Sequence, residues 1–367
     1  MTEYLARPFF ILSATLVLSL SVVGQATVYS IPNDVYQGAI QMQENSGLYP
    51  LDGPKLTPWP NATSYDWWYF DVVSTSNNAS FVSTFFLNRG AFRGVNETAP
   101  NVVDASVTFP NGTAVDTTTF VDLNENVTVT TLGNGSSGDW TGTGANWNGS
   151  PDLKSYTINY NSSAIKGSIV LTSVSPAHYP CNKAEPFSDE LLCPNVGWAN
   201  SIPDSNAVVD LTVNGERLAF TGYGYHDKNW GDINFAEAIK SWYWGHGRLG
   251  PYSIVWFDAL GTDGTEYVSS WVTDDGTIIA GNCTSGSLRV RPFGTNATYP
   301  PDPTSPLPDG YSISYDLGAK GTLDVNFTRE LHFFSTPTYN RFLGNLEGGI
   351  TGEQNFTGQA LCEQFAF

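Results

Sequence analysis

Short runs of alternating residues recur along almost the whole chain, and they restrict it to a β fold. Runs such as NVTVTTLGNG, GSIVLTSVSP and AVVDLTVNGERLAFTG alternate β-branched or aromatic residues with polar ones and end in turn residues. The Asn-Gly pair in VNGE and the Asp-Gly pair in TDDGT favour tight hairpin turns. Helical periodicity is scarce, and its best window, residues 233–242, is long enough for one or two turns. We therefore predict an all-β protein with very little helix.

A proline-rich stretch between residues 176 and 206 interrupts these runs. It carries five prolines and two cysteines, which is typical of a long structured loop near a domain junction. Without its first 26 residues the chain has roughly 340 residues, enough to bury two ordinary cores. We predict two all-β domains of barrel or sandwich type that pack together, residues 27–207 and 208–367.

The N-terminal segment, residues 1–26, has the pattern of a secretory signal peptide. Arg7 and Pro8 precede an apolar run, Phe9–Val23, which is followed by GQA, a sequence suited to cleavage. The run is too short for a comfortable membrane span. Twelve N-x-S/T sequons support the same route, at Asn61, Asn78, Asn96, Asn111, Asn126, Asn134, Asn148, Asn161, Asn282, Asn296, Asn326 and Asn355. We expect a secreted or vesicular glycoprotein with no membrane span after cleavage.

The four cysteines suit an oxidising compartment and predict disulfide bonds. Three pairings are open, and proximity in sequence favours Cys181–Cys193, which leaves Cys283–Cys362. The chain has neither a CxxC motif nor a Cys/His spacing typical of zinc, so we expect no metal site.

The charge and the missing motifs exclude several classes of protein. The net charge is −19 and the acidic residues are scattered, whereas nucleic-acid binders need clustered Lys and Arg. The sequence has no P-loop motif and no GxGxxG motif that opens a predicted helix, and we expect no cofactor. A GxSxG nucleophile elbow is also missing, which argues against that type of hydrolase.

The stretch GYGYHDKNWGD, residues 222–232, concentrates polar side chains. Its first half alternates Gly and Tyr and predicts an extended strand, while its second half predicts a turn. His226 and Asp227 are candidates for an oriented acid/base pair. In the alternative interpretation, Asp227, Asn229 and Asp232 hydrogen-bond to the backbone of a tight turn and have no catalytic role.

The stretch SWYWGHGRLG predicts a strand with one aromatic and polar face. Alternation places Trp242, Trp244, His246 and Arg248 on the same side. Buried polar groups need partners, and an aromatic pocket with a few polar groups is the usual form of a small-molecule site. In the alternative interpretation, Arg248 stacks on an exposed Trp.

A third aromatic cluster, DWWYFD at residues 66–71, must divide between the two faces of a strand. Trp67 shares one face with Tyr69, and Asp66 shares the other face with Trp68. Some of these side chains are expected in a hydrophobic core.

DWWYFD, GYGYHDKNWGD, SWYWGHGRLGPYSIVWFDAL and EGGITGEQNFTGQALCEQ together resemble the AttH/CrtC-like superfamily. That group includes bacterial hydroxyneurosporene synthases, fungal kievitone hydratase and fungal Diels–Alderases. The resemblance implies two lipocalin-like β domains with a ligand pocket between or within them. The predicted signal peptide and sequons point to two subgroups that look secretory, the hetero-Diels–Alderases of tropolone-sesquiterpenoid pathways and the relatives of kievitone hydratase.

The leading functional hypothesis is a cofactor-free pericyclase of fungal secondary metabolism. The resemblance implies a hetero-Diels–Alder reaction that joins a quinone methide to a terpene alkene, with small apolar polyketide or terpenoid substrates. From strand alternation we predict that Arg248 or His246 donates a hydrogen bond to the heterodiene carbonyl. His246 or His226 is predicted to protonate a leaving hydroxyl. The predicted pocket walls are Trp67, Trp68, Tyr225, Trp242 and Trp244.

Two alternatives stay open. A hydratase that adds water to a prenyl double bond needs a shielded acid, and Asp227 or Asp232 with a raised pKa is the candidate. A non-enzymatic terpenoid carrier needs the aromatic pocket but no acid. The oligomeric state is not determined by the sequence, and a homodimer is compatible with it.

Overall fold

The computed structural model describes residues 25–47, 50–94 and 99–367. Almost all of the predicted signal peptide therefore lies outside the described residues. Within them the chain forms two large curled antiparallel sheets, each a lipocalin-type half-barrel. The predicted all-β fold with very little helix is confirmed.

The first half-barrel is built from residues 27–231. Its main path runs β1-β8-β9-β10-β11-β12-β16-β17-β4-β5-β6-β7, with β13, β14 and β15 attached at β16 and with β2 and β3 as a separate pair. The strands are β1 (Thr27–Pro32), β2 (Gln41–Met42), β3 (Leu56–Thr57), β4 (Tyr65–Ser74), β5 (Ser80–Leu87), β6 (Val102–Thr108), β7 (Ala114–Phe120), β8 (Asn126–Leu132), β9 (Gly135–Trp140), β10 (Ala145–Gly149), β11 (Ser155–Asn161), β12 (Ile165–Ser173), β13 (His178–Tyr179), β14 (Asn182–Lys183), β15 (Leu191–Cys193), β16 (Val196–Val213) and β17 (Glu216–Gly231). A short helix, α1 (Arg89–Arg93), follows β5.

The second half-barrel is built from residues 239–366. Its order is β21-β20-β19-β18-β26-β25-β24-β23-β22. The strands are β18 (Ile239–Leu249), β19 (Tyr252–Gly261), β20 (Glu266–Asp274), β21 (Thr277–Asn282), β22 (Leu288–Phe293), β23 (Gly310–Asp316), β24 (Thr322–Thr336), β25 (Tyr339–Ile350) and β26 (Phe356–Ala366). A 3₁₀ turn, Gly318–Lys320, precedes β24, and the one-turn helix α2 (Phe235–Ala238) joins the two half-barrels.

The boundary between the half-barrels lies later in the chain than the sequence indicates. The division predicted at residues 207 and 208 falls inside β16, and the chain passes to the second sheet between Gly231 and Ile239. The proline-rich stretch, predicted to be a long structured loop, contains the short strands β13 and β15, which pair with β16. The predicted helix at residues 233–242 shrinks to α2, since Ile239 already begins β18.

The motif GYGYHDKNWGD is strand along almost its whole length, and the predicted turn in its second half is wrong. Residues 222–231 belong to β17, which pairs with β16 on one side and β4 on the other. A central strand can carry these polar side chains because partners lie on both faces of its sheet. The glycines serve close backbone approach, since a Cβ atom on Gly222 would lie 2.0 Å from the carbonyl oxygen of Val73.

Three hydrophobic cores follow from the alternation of side chains along the central strands. On β4, Trp68 and Phe70 face the interior of the first half-barrel. Trp67 and Tyr69 face the layer between the two sheets, and the third core fills the second half-barrel. Both faces of these strands are therefore buried, and the middle layer is where the two half-barrels meet.

The disulfide connectivity differs from the prediction. Cys181 is bonded to Cys283, so the predicted pairs Cys181–Cys193 and Cys283–Cys362 are both wrong. Cys193 and Cys362 are free thiols, one buried in the middle core and the other in the second half-barrel. Proximity in sequence misleads here because β14 lies against β21, which brings Cys181 to the second half-barrel.

Removal of the observed disulfide is expected to lower the free energy of unfolding by about 2–5 kcal/mol, because it closes a loop between residues 102 positions apart. The double variant Cys181→Ser/Cys283→Ser, measured by urea denaturation, checks this. Cys362→Ala is the control for loss of a buried thiol that forms no disulfide bond. A cross-linked peptide pair containing Cys181 and Cys193 in a non-reducing digest would contradict the connectivity.

The sequons lie where glycans can be accommodated. Ten of the twelve asparagines are exposed, Asn61 is half-buried and Asn96 lies outside the described residues. We therefore expect enzymatic removal of N-glycans to lower the mass of the protein made in a fungal host. An unchanged mass would contradict both glycosylation and the proposed secretory route. In the described ranges, no helix has the length and hydropathy that crossing a membrane requires.

Candidate functional site

A cavity of about 620 Å³ lies in the middle layer, between the two half-barrels. Strands β4, β5, β6 and β17 form one wall, and β18, β19, β25 and β26 form the other. Aromatic rings dominate both walls, including Trp67, Phe86, Phe92, Trp242, Phe257 and Phe365. Such a concave, mostly apolar space with a few polar groups is the usual form of a small-molecule site.

Asp227 is the buried acid of this cavity. It lies on β17 opposite Tyr69 of β4, and both residues line the cavity. Its Oδ2 accepts hydrogen bonds from Trp198 Nε1 and from the Tyr225 hydroxyl, each at 2.7 Å. Its Oδ1 has no hydrogen-bond partner among the described residues. The carboxyl is thus held by one oxygen, and the other is available to a ligand.

The environment of Asp227 favours its protonated form. Burial raises its pKa from 3.8 to about 7, while the hydrogen bonds from Trp198 and Tyr225 oppose the shift, and the nearby charge of Glu363 adds to it. A carboxyl with a pKa near neutrality is suited to donate and regain a proton at physiological pH. A carboxyl with a raised pKa therefore lies against an aromatic cavity.

A second polar group in the cavity consists of Tyr339, Arg341 and Glu363. Arg341 Nε donates to Glu363 Oε1 at 3.1 Å and to the Tyr339 hydroxyl at 2.8 Å. The Tyr339 hydroxyl also donates to Glu363 Oε1. Burial raises the pKa of Glu363, and the opposing charge of Arg341 works against that shift. The cavity therefore contains a carboxyl with a raised pKa and a buried ion pair.

The structure places His226 outside the cavity. Its side chain points into the first half-barrel, where the ring stacks on Phe70 at a centroid distance of 3.9 Å. Its Nδ1 lies 2.8 Å from the Tyr69 carbonyl oxygen and its Nε2 lies 3.1 Å from Asp52. His226 and Asp227 are neighbours in sequence but face opposite sides of β17, so they do not form the predicted acid/base pair.

His246 and Arg248 also lie outside the cavity, where they join the two sheets. His246 Nε2 is 2.9 Å from both carboxylate oxygens of Asp71 on β4. Arg248 makes two hydrogen bonds to Asp204 on β16, at 2.7 and 2.8 Å. Arg248 lies over the Tyr223 ring instead of the predicted Trp. His246 is buried and Arg248 is half-buried, and the partners of both lie far away in the sequence.

Replacing Arg248 with methionine is expected to destabilise the protein by about 3–5 kcal/mol, because the buried Asp204 carboxylate loses its charged partner. Turnover per folded molecule should stay unchanged, since Arg248 does not line the cavity. Urea denaturation and turnover measured on the folded fraction check the two statements. The double variant Arg248→Met/Asp204→Asn should recover part of the stability, and a selective loss of turnover in Arg248→Met would return Arg248 to a catalytic role.

The predicted pocket walls divide between two environments. Trp67, Trp242 and Trp244 line the cavity. Trp68 faces the first half-barrel and donates from Nε1 to the Asp52 carbonyl oxygen. Tyr225 lies behind the wall, where it holds Asp227. The remaining acid considered from sequence, Asp232, accepts a hydrogen bond from Asn195 and does not line the cavity.

Tyr339, Arg341 and Glu363 were not predicted from the sequence. Tyr339 and Arg341 alternate at the start of β25, so they share one face of that strand. That alternation in STPTYNRFLG was the available signal, but no local pattern indicates that this face meets a cavity. In the described part of the chain, no group of three or more His, Cys, Asp or Glu side chains could hold a metal ion.

The chain is similar to several characterised proteins. Residues 39–292 match the model of a protein family described as Diels-Alderase-like. The quinolone epoxide rearrangement protein asqO of Emericella nidulans is 37% identical over 361 residues, which cover 97% of this chain and 98% of that protein. The quinolone epoxide rearrangement protein penF of Penicillium thymicola is 37% identical over 353 residues, which cover 94% of this chain and 96% of that protein.

A solved structure shares the fold. The crystal structure of CghA with Sch210972 matches this protein with a TM-score of 0.75 at 17% sequence identity. The match covers 93% of this chain and 98% of that chain. At this identity the likeness concerns the fold, and the two half-barrels described above are therefore an arrangement that the two proteins share.

Proposed function

Because the chain belongs to the Diels-Alderase-like family, we propose that it catalyses a cofactor-independent rearrangement of an epoxide on a quinolone substrate. Membership confirms the predicted resemblance and the prediction of an isomerase-type enzyme, because relatives are named Diels-Alderase, cyclase and epoxide rearrangement protein. The predicted subgroup of tropolone-sesquiterpenoid enzymes stays a prediction. The two relatives at 37% identity supply the substrate class that we propose.

The observation that carries the proposal is the Asp227 carboxyl in an aromatic cavity. Opening of an epoxide by acid breaks one C–O bond, and the electron pair goes to the oxygen, which takes the proton from Asp227. A neighbouring group then migrates with its electron pair to the electron-deficient carbon and leaves a protonated carbonyl. The carboxylate of Asp227 takes that proton back. The product is an isomer of the substrate, and no external reagent is consumed.

The rest of the cavity suits the charges that such a reaction develops. The faces of Trp67, Trp242 and Trp244 can stabilise a carbocation. Arg341 can donate hydrogen bonds to a substrate oxygen, and in a site shielded by aromatic rings such bonds count for more than in water. The same rings restrict the access of water, which would otherwise trap the cation as a diol.

A second candidate is the hetero-Diels–Alder reaction between a quinone methide and a terpene alkene. The cavity volume of about 620 Å³ and its aromatic walls support it, since a cycloaddition needs two π systems held in alignment. In this case Arg341, in place of the predicted Arg248 or His246, would donate to the heterodiene carbonyl. The hydratase and the terpenoid carrier are further outcomes of the same test.

The test incubates the purified protein with a synthetic quinolone that carries an epoxide on its side chain. Liquid chromatography with mass spectrometry then reports the product. A new species with the mass of the substrate supports the rearrangement. A species heavier by one water supports a hydratase, and a saturable complex without any product supports a carrier. A quinone-methide precursor supplied together with a terpene alkene tests the cycloaddition, which gives a product with the summed mass.

A further inference from the structure

We propose that Arg341 and Glu363 form a donor–acceptor edge that recognises the lactam of the substrate, a cyclic amide whose carbonyl and N–H lie side by side. This inference rests on the proposed function only for the use of the same cavity and the quinolone ring. It assigns a binding role to two residues and selects one quinolone isomer, the one in which the carbonyl carbon is bonded to the ring nitrogen.

Arg341 is a buried cation with unused donors. Its Nε serves Glu363 and Tyr339, whereas its two terminal nitrogens have no hydrogen-bond acceptor among the described residues. Only 7% of the residue surface is exposed, and Arg341 lines the cavity. A guanidinium is planar and presents its N–H donors in fixed directions. The donors on the two terminal nitrogens of Arg341 are therefore available to a ligand oxygen.

Glu363 supplies the matching acceptor. Its Oε1 accepts from Tyr339 and Arg341, but Oε2 has no partner within the described ranges. Arg341 on β25 and Glu363 on β26 are direct cross-strand partners and both line the cavity. Free donors and a free acceptor therefore stand next to each other on one wall.

A lactam is complementary to this wall, because its adjacent hydrogen-bond acceptor and donor can face the adjacent donors and acceptor of Arg341 and Glu363. Its carbonyl oxygen can accept from Arg341 while its N–H donates to Glu363 Oε2. An isomer in which the carbonyl lies across the ring from the N–H can satisfy only one of the two. The rings of Phe334 and Tyr339 lie 5.2 Å from the guanidinium carbon and keep this wall apolar around the ion pair. Hydrogen bonds to charged groups are strong in such surroundings.

The lactam contact also sets the direction of the substrate. Asp227 and Glu363 line the same cavity, and the charge of Glu363 makes a small contribution to the raised pKa of Asp227. A quinolone ring docked on Arg341 and Glu363 therefore lies in the cavity that Asp227 borders from the opposite wall. Recognition of the ring and proton donation to the side chain become the tasks of separate residues.

The experiment measures binding of three probes that lack an epoxide: quinolin-2(1H)-one, its N-methyl derivative and quinolin-4(1H)-one. Quenching of tryptophan fluorescence reports their dissociation constants with the full chain. Quinolin-2(1H)-one is expected to bind at least about tenfold more tightly than the N-methyl derivative, the effect of one lost hydrogen bond to a charged group. Quinolin-4(1H)-one is also expected to bind about tenfold more weakly than quinolin-2(1H)-one.

Glu363→Gln is the first variant, because glutamine keeps the size but removes the charge and replaces one acceptor oxygen with a donor nitrogen. The preference for N–H over N-methyl should fall below about threefold in this variant. Arg341→Lys should weaken the binding of the N–H and N-methyl probes by a similar factor and leave the ratio of their dissociation constants unchanged. This variant tests the proposal if Glu363→Gln does not fold. Equal binding of the N–H and N-methyl probes to the unmodified protein would overturn the proposal, as would the absence of saturable binding. Since no probe can react, failure of the rearrangement leaves this result unaffected.

Discussion

Asp227→Asn is expected to lower the turnover number by more than about a hundredfold and to change substrate affinity by less than about threefold. Loss of a general acid typically removes a factor of 10² to 10⁴ from the rate. Asparagine has nearly the same shape, and its oxygen can still accept from Trp198 and Tyr225. The measurement is steady-state turnover of a quinolone epoxide together with equilibrium binding.

The pH dependence gives the same prediction a second readout. The turnover number of the unmodified protein should fall as the pH rises through about 7, because Asp227 must carry its proton to open the epoxide. The matched control is Asp258→Asn. Asp258 is also a buried carboxyl with a pKa raised by burial, but it lies in the second half-barrel and does not line the cavity. Retained activity in Asp227→Asn, or equal losses in both variants, would remove Asp227 from the mechanism.

The stability of Asp227→Asn separates a chemical defect from a folding defect. The folded protein holds the Asp227 proton up to about pH 7, whereas the reference pKa is 3.8. The stability linked to this proton is therefore fully present below about pH 4 and is lost as the pH rises through 7. A shift of this size corresponds to a cost on the order of 4 kcal/mol at pH 8. Relative to the unmodified protein, Asp227→Asn should become more stable between pH 4 and pH 8, even though it is inactive.

Arg341→Met is expected to reduce both stability and catalytic efficiency. Removing one partner of a buried ion pair typically costs about 3–5 kcal/mol, because the carboxylate of Glu363 is left without its countercharge. The loss of hydrogen-bond donors to a substrate oxygen should lower kcat/KM by about a hundredfold or more. Urea denaturation and turnover measured on the folded protein report the two effects.

The double variant Arg341→Met/Glu363→Gln distinguishes the two roles of Arg341. It leaves no unpaired charge in the cavity, so most of the lost stability should return. Catalytic efficiency should stay low, because the donors are still missing. Recovery of efficiency together with stability would show that Arg341 only supports the fold.

The class of fold could be predicted because the signal for it is local. Alternation of side chains along a strand is set by the backbone of that strand alone, and it correctly separates Trp67 from Trp68. The same rule places Trp242 and Trp244 on one face, and both line the cavity. Residue types then identify that face as aromatic. None of these inferences requires knowledge of a distant segment.

The roles of the polar residues could not be predicted in the same way. His246 and Arg248 share the aromatic face, but Asp71 and Asp204 bind them, and these acids lie 175 and 44 positions away in the sequence. Because no partner for these two side chains is visible in the sequence, it predicts a catalytic role for them, whereas in the structure they join two sheets. Conversely, no local pattern around Arg341 in its strand predicts that this residue lines a cavity.

The sequence by itself determined which side chains share a face, because that property depends on the geometry of a single strand. The tertiary structure alone decided which face borders the cavity, which half-barrel a strand joins and which partner neutralises a buried charge. Asp227 and Glu363 are 136 positions apart (363 − 227), yet both line the same cavity. Their proximity depends on the register of whole sheets and on burial by both half-barrels. No short segment of the chain determines these properties.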